Sequence, residues 1–416
     1  MLDLLITNAT LPDGRTGQTI SVADDRIVAV SPTAPGEAHS TIDAEGRLVS
    51  PPLVDAHFHL DATLSLGTGG KYNESGTLAE GIALWAEIRP QLTADNFKRR
   101  ALDYCRLAVT QGLLAIRTHV DVTPENLLAV EVLKEVQAEV APVIDLQLVA
   151  FPQMGYFSTP AMANHVERAL DLGCEVVGGI PHLEPTYELG QESVRRLCQL
   201  AADRGLMVDL HCDENDDPNS RLIETLTYET TRLGLSGRVT GSHLTSMHSM
   251  DNFYAARLIR MMAAANVHVA ANPLANMFLQ GRFDTYPKRR GLTRIPELLE
   301  AGCLVAMGHD SVLDPWYPLG RADMLDVAFM AVHASHMSSR TGIPQTFHCV
   351  TEMPAAIMGL EGYGLTEGSF ADMVIHEATD TIEAVRLRLP RRTVIRRGKV
   401  IAENRVSTTL DVLSTK

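Results

Sequence analysis

Residues 51–61 read Pro51-Pro52-Leu53-Val54-Asp55-Ala56-His57-Phe58-His59-Leu60-Asp61. Two prolines close the preceding segment, a short apolar run follows, and the run ends in His-x-His. A run of this length reads as a buried strand. Residues i and i+2 of a strand face the same way, so His57 and His59 would present both imidazoles to one point. Strands that finish in reactive side chains suit a parallel barrel, whose chemistry sits at the C-terminal strand ends.

The same design recurs seven more times. Apolar runs at Leu113–Asp121, Asp145–Gln153, Val176–Glu184, Met207–Glu214, Arg238–Ser246, Val267–Asn276 and Leu304–Val312 each end in polar groups. Helical periodicity fills several of the gaps, as at Glu125–Val140, Gln191–Arg204 and Asp251–Ala265. Eight strand–helix units over about 300 residues predict an α/β fold, a (β/α)8 TIM barrel. The barrel is expected over 51–364. Residues 1–50 and 365–416 carry short alternating strands separated by turns. Neither end alone holds enough strands for a stable sheet. The two ends are therefore expected to combine into one small β-sandwich domain.

The polar strand ends suggest a metal centre. His211 ends the fifth run and Asp310 the eighth. With His57 and His59 they supply three nitrogens and one carboxylate, a donor set for one divalent ion such as Zn²⁺ or Fe²⁺. Glu214 lies three residues past His211, an odd offset that would turn it away if the strand continued. It must sit where the strand breaks into a loop, which suits a general acid/base more than a ligand. His243 ends the sixth run and could polarise a bound water.

Composition narrows the substrate and the setting. Lys plus Arg is 36 against 51 Asp plus Glu, a formal charge of -15. Such a surface repels phosphate backbones, so a small molecule is expected rather than a nucleic acid polymer. Gly67-Thr68-Gly69-Gly70-Lys71 lacks P-loop spacing, and Lys288-Arg289-Arg290 reads as a solvated loop. No run approaches the ~20 apolar residues of a membrane span, and the N-terminus lacks the pattern of a signal peptide. Six scattered cysteines without Cys-x-x-Cys spacing read as reduced thiols, and a cytoplasmic location is expected. The missing Cys-x-x-Cys also closes the zinc-deaminase route built on that motif.

Longer stretches resemble the amidohydrolase superfamily and, within it, the bacterial cytosine deaminases. They are PPLVDAHFHLD (51–61), RTHVDV (117–122), LQLVAFPQ (146–153), GGIPHLE (178–184), DLHCDEND (209–216), NPLANMFLQGRFDTYPKRRG (272–291) and GHDSVLDPWYPLG (308–320). The resemblance implies conversion of cytosine to uracil, with ammonia released after water activated by one metal per chain attacks C4. It implies His57, His59, His211 and Asp310 as ligands, with Glu214, His243 and Asp310 as catalytic residues. It also implies that Gln153 reads the pyrimidine carbonyl and adjacent N–H, while Leu78 and Trp316 line apolar walls. A homo-oligomer is the expected assembly.

One departure stands out. Where characteristic members carry a second Asp after the metal-binding Asp, this chain has Ser311. The smaller, uncharged side chain should open room at the pyrimidine 5-position, so 5-methylcytosine is an expected substrate, giving thymine. Two other readings stay open: a hydrolase of another small heterocycle such as creatinine or isoguanine, and a binding protein without activity.

Overall fold

A computed structural model describes residues 1–409. The chain divides into two compact units. One is Leu53–Ala108 with Leu113–Glu361; the other is Met1–Pro52, Val109–Gly112 and Gly362–Lys416, and the residues of the expected 365–416 segment past 409 lie outside the described range.

The larger unit is the expected barrel. Its eight strands are Leu53–Phe58, Leu113–Asp121, Asp145–Phe151, Val176–Gly179, Met207–Cys212, Val239–His243, His268–Ala271 and Val305–Met307. They pair in sequence order, all parallel. The first and eighth meet where Phe58 bridges Asp310. There Asp310 N–H donates to His57 O at 2.9 Å and His59 N–H to Asp310 O at 3.1 Å. This seam sets three polar strand-end residues side by side. Gly308 permits it: a Cβ there would stand 2.5 Å from Asn272 Oδ1 and 2.6 Å from His57 O.

Strand interiors are almost entirely buried, as in Leu113–Asp121, where every residue is. That explains why barrel strands read as continuous apolar runs rather than alternating ones. Helices cover the outside. Tyr187–Arg204 starts under a Thr186 cap and ends on left-handed Gly205, and Asn252–Ala265 is capped by Asp251. The helix expected from Glu125 begins at Leu128 instead, because Leu127 takes φ 50° and the side chain of Asn126 accepts from Leu128 N–H.

Among its described residues the smaller unit holds two four-stranded sheets. The first is built entirely from the N-terminal segment, in the order Arg26–Ser31, Gln18–Ala23, Leu2–Ala9, Ala38–Asp43. The second sets Lys399–Glu403, Thr393–Arg396, Met373–Ile375 and Val49–Ser50 side by side. One core joins them, with Ile6, Ile20 and Val22 packed in the same cluster as Val49, Met373 and Ile395. The sandwich thus forms as expected, but the N-terminal segment completes a sheet by itself. Ala38–Asp43 is an edge strand with no buried residue, so it leaves no apolar alternation to read in the sequence.

Candidate metal centre and substrate pocket

The barrel mouth gathers the expected ligands. His57 Nε2 lies 3.4 Å and His59 Nε2 3.5 Å from Asp310 Oδ1. His59 Nε2 is 3.0 Å from His211 Nε2. Burial, reinforced by neighbouring imidazoles, drives His211 well below its usual pKa, and burial pulls His59 down to about 4. Both are therefore neutral, the form that offers a lone pair to a metal. His57 Nε2 is buried with no hydrogen-bond partner. A buried orphan nitrogen among facing imidazoles and a carboxylate is costly unless a cation completes the set. The donors fit a divalent ion.

Four buried donors, on His57, His211, His243 and Asp310, lie within 4.8 Å of one another. This group contains His243 where the sequence reading has His59. Proton placement separates the two. Asn276 Oδ1 is engaged by Asn272 N–H at 3.3 Å, which turns Asn276 Nδ2 toward His243 Nδ1 at 2.9 Å. Asn272 Nδ2 also approaches the ring, 3.2 Å from Nδ1 and 3.4 Å from Nε2, so the two shortest amide contacts both fall on Nδ1; Nδ1 accepts, and the proton of a neutral His243 is on Nε2. An N–H cannot ligate, so His243 reads as a hydrogen-bond donor into the site.

Backbone strain helps aim these groups. His243 has φ 71° and Asp310 φ 69°, left-handed values uncommon outside glycine and concentrated at functional positions. Asp213, at φ 52°, breaks the fifth strand. Its carboxylate accepts from Leu222 N–H at 3.0 Å, Ile223 N–H at 2.9 Å and Ser220 Oγ at 2.7 Å. The pinned turn sends Glu214 back into the site, as the odd offset predicts. Glu214 is buried, with Oε1 3.5 Å from His243 Nδ1. Burial and the nearby Asp310 charge push the Glu214 carboxyl well up. Burial alone would also raise Asp310, but the imidazoles of His243, His57 and His59 outweigh it and hold Asp310 low.

A pocket opens over this centre. Gln153, Leu78, Ser311 and Trp316 all line it, together with Ile82, Ile180 and Leu279. Those three apolar residues escaped the sequence reading, since a wall residue looks like any other apolar side chain. Trp316 N–H and Tyr317 N–H both donate to Asp314 at 2.9 Å, which holds the indole loop. The six cysteines are buried and unpaired. Arg289 of the basic run is paired with Asp284 at 2.7 Å, and no helix among the described residues is long and apolar enough to cross a membrane.

A model of the amidohydrolase family matches residues 40–139 and 105–406. The structure of 5-methylcytosine deaminase from Klebsiella pneumoniae liganded with phosphonocytosine is 40% identical, with a TM-score of 0.94 over 98% of this chain and 100% of that one. N-isopropylammelide isopropyl amidohydrolase of Pseudomonas is 28% identical, over 97% of this chain and 98% of its own. Pterin deaminase of Rhizobium rhizogenes is 29% identical, over 95% and 93%.

Proposed function

The chain belongs to the amidohydrolase family, and from that premise we propose that it deaminates free cytosine-type bases, with 5-methylcytosine the preferred substrate. One observation carries the reading: a single pocket brings together donors fit for a metal, the carboxyl of Glu214 and the amide of Gln153. The 40% identity to a 5-methylcytosine deaminase supports that base over the N-isopropylammelide and pterin named for the relatives at 28% and 29%.

His57, His59, His211 and Asp310 would hold the ion, Zn²⁺ or Fe²⁺ by donor chemistry. When bound it supplies Lewis acidity and lowers the pKa of a water toward about 7. Gln153 offers Nε2–H to the pyrimidine carbonyl and Oε1 to the adjacent ring N–H. Glu214 accepts a proton from the attacking water and delivers it to ring N3. His243 donates Nε2–H to the water oxygen as it closes on C4. Asp310 takes the remaining proton and passes it to the exocyclic nitrogen. The C4–N bond then breaks, ammonia leaves, and C4 keeps the oxygen as a carbonyl.

Ser311 carries the preference for the 5-methyl group. It is 2% exposed, lines the cavity and follows Asp310 directly. A second carboxylate at this position would crowd and desolvate against a methyl. Filling space with one methyl is worth about 1–3 kcal/mol, or 10–200-fold in kcat/KM. Ammonia release is therefore expected to be 10–200-fold more efficient on 5-methylcytosine than on cytosine by this estimate, and Ser311→Asp should reverse the order. Equal efficiencies on the two bases, unchanged in the variant, would remove Ser311 from the specificity argument. Release from neither base would move the search to other amino-heterocycles. Two ions per chain would favour cyclic-amide hydrolysis.

A second expectation concerns the indole wall. A Cβ on Gly81 would meet Trp316 Cδ1 at 2.4 Å and Nε1 at 2.8 Å. Gly81→Ala must therefore move the indole. Overpacking costs about 1–3 kcal/mol, and the gain in helix propensity, about 1 kcal/mol, offsets part of it. Melting should change little while kcat/KM falls about 10-fold or more, as misplacing a binding wall does. Unchanged kcat/KM would show that Trp316 does not shape the bound ring.

The reading includes a cytoplasmic enzyme assembled from several copies. Buried unpaired thiols suit the cytoplasm, and the strongly exposed Phe253, Phe283 and Tyr286 offer surface that further copies would cover.

A further inference from the structure

Beneath the metal centre lies a hydrogen-bonded chain that the reaction does not use. Asp209 sits in the fifth strand, two residues before His211, and Ser242 in the sixth, one before His243. Ser242 Oγ donates to Asp209 Oδ1 at 2.6 Å, and the same Oγ lies 2.9 Å from His57 Nδ1. All three side chains are fully buried. Arg117 NH1 holds the other Asp209 oxygen at 3.0 Å, so Asp209 enters as a carboxylate.

The proton count is closed. A carboxylate can only accept, and a serine hydroxyl has one proton, which it gives to Asp209. The bond to His57 must therefore run the other way, with Nδ1–H donating to Oγ. A neutral imidazole has one N–H, so Nε2 carries the lone pair. That nitrogen is the buried orphan facing Asp310.

We propose that Asp209 and Ser242 are positioning residues that lock His57 in its one metal-binding tautomer and ring orientation. The relay deepens the metal-centre reading above and rests on His57 being a ligand. It differs from a direct carboxylate–histidine pair in that a hydroxyl stands between them, accepting from Nδ1–H and donating in turn to Asp209. The same chain accounts for another cluster, in which donors of His57, His119 and Asp209 lie within 4.8 Å of one another. His57 Nδ1 is spent on Ser242, and Asp209 serves the relay, so no second ion is expected there.

The test is metal release. The Zn²⁺-loaded protein, its Ser242→Ala, Ser242→Thr and Asp209→Asn variants, and a His57→Ala control are mixed with a colorimetric chelator, and ions per chain and release rate are recorded. Outer partners of ligating histidines typically contribute about 10–100-fold in affinity. Ser242→Ala should release its ion about 10–100-fold faster by this measure, Asp209→Asn similarly, and Ser242→Thr, which keeps the hydroxyl, near the parent rate. Ser242→Ala leaves the Arg117–Asp209 pair intact, so it remains informative if Asp209→Asn does not fold. The Co²⁺-loaded form should show a changed visible spectrum in Ser242→Ala alone of the two serine variants. Parent-like release and spectrum in Ser242→Ala, with the ion lost in His57→Ala, would overturn the relay while keeping His57 as ligand. Retention of the ion in His57→Ala would overturn the ligand reading itself. Two ions per chain would replace the relay with a second metal site.

Discussion

Replacing Glu214 with glutamine is expected to lower kcat by about 10²–10⁴-fold, the usual contribution of a positioned general acid/base, with the ion retained. The side chain is 4% exposed and its Oε1 lies 3.5 Å from His243 Nδ1. Glutamine fills the same volume but cannot take a proton from water or give one to ring N3. Burial and the Asp310 charge push the Glu214 carboxyl well up, while His243, His57 and His59 pull Asp310 down. Two carboxyl groups with opposed environments mark an acid/base pair. Glu214 makes no contact that holds the ligands together, so metal content should stay at the parent value and KM should change far less than kcat. Steady-state kinetics with metal analysis of the same preparation checks this. A kcat within a factor of a few of the parent would assign the proton transfer elsewhere.

His59→Ala and His243→Asn are expected to fail in different ways. His59→Ala should lose the ion and all measurable ammonia release. His243→Asn should keep one ion per chain and lose about 10²–10³-fold in kcat, as removal of one preorganised donor does. The two histidines compete for one place in the ligand set, since the tight group of mutually close donors holds His243 and not His59. The amide of Asn276 at 2.9 Å from His243 Nδ1 decides the matter by leaving the His243 proton on Nε2. His59 Nε2 lies 3.0 Å from His211 Nε2 and 3.5 Å from Asp310 Oδ1, the place that a ligand of this set needs. Ion loss from His243→Asn with retention in His59→Ala would exchange the two roles and cancel the donor assigned to His243.

Much of this was legible along the chain. All eight barrel strands stand where short apolar runs end in polar residues, because a strand buried on both faces leaves a continuous apolar signature. Ligand chemistry was legible for the same local reason: His57 and His59 share a strand face two residues apart, and the offset of Glu214 from His211 required a break. Helix starts were less so. The turn at Leu127 depends on a backbone conformation that no periodicity records.

By itself, then, the sequence determined the barrel, the residues able to hold a metal, the acid/base candidate and the family likeness. Each of these is written in spacing and side-chain type over a few residues, or in motifs in order. Only the tertiary structure brought together the partners that face the ring nitrogens of His57 and of His243, and the apolar residues that wall the pocket. The partners responsible are far apart in the chain: Ser242 is 185 positions from His57, and Asn276 is 33 from His243. A tautomer is set by what a ring touches, and barrel closure brings those partners together with no mark in the local sequence.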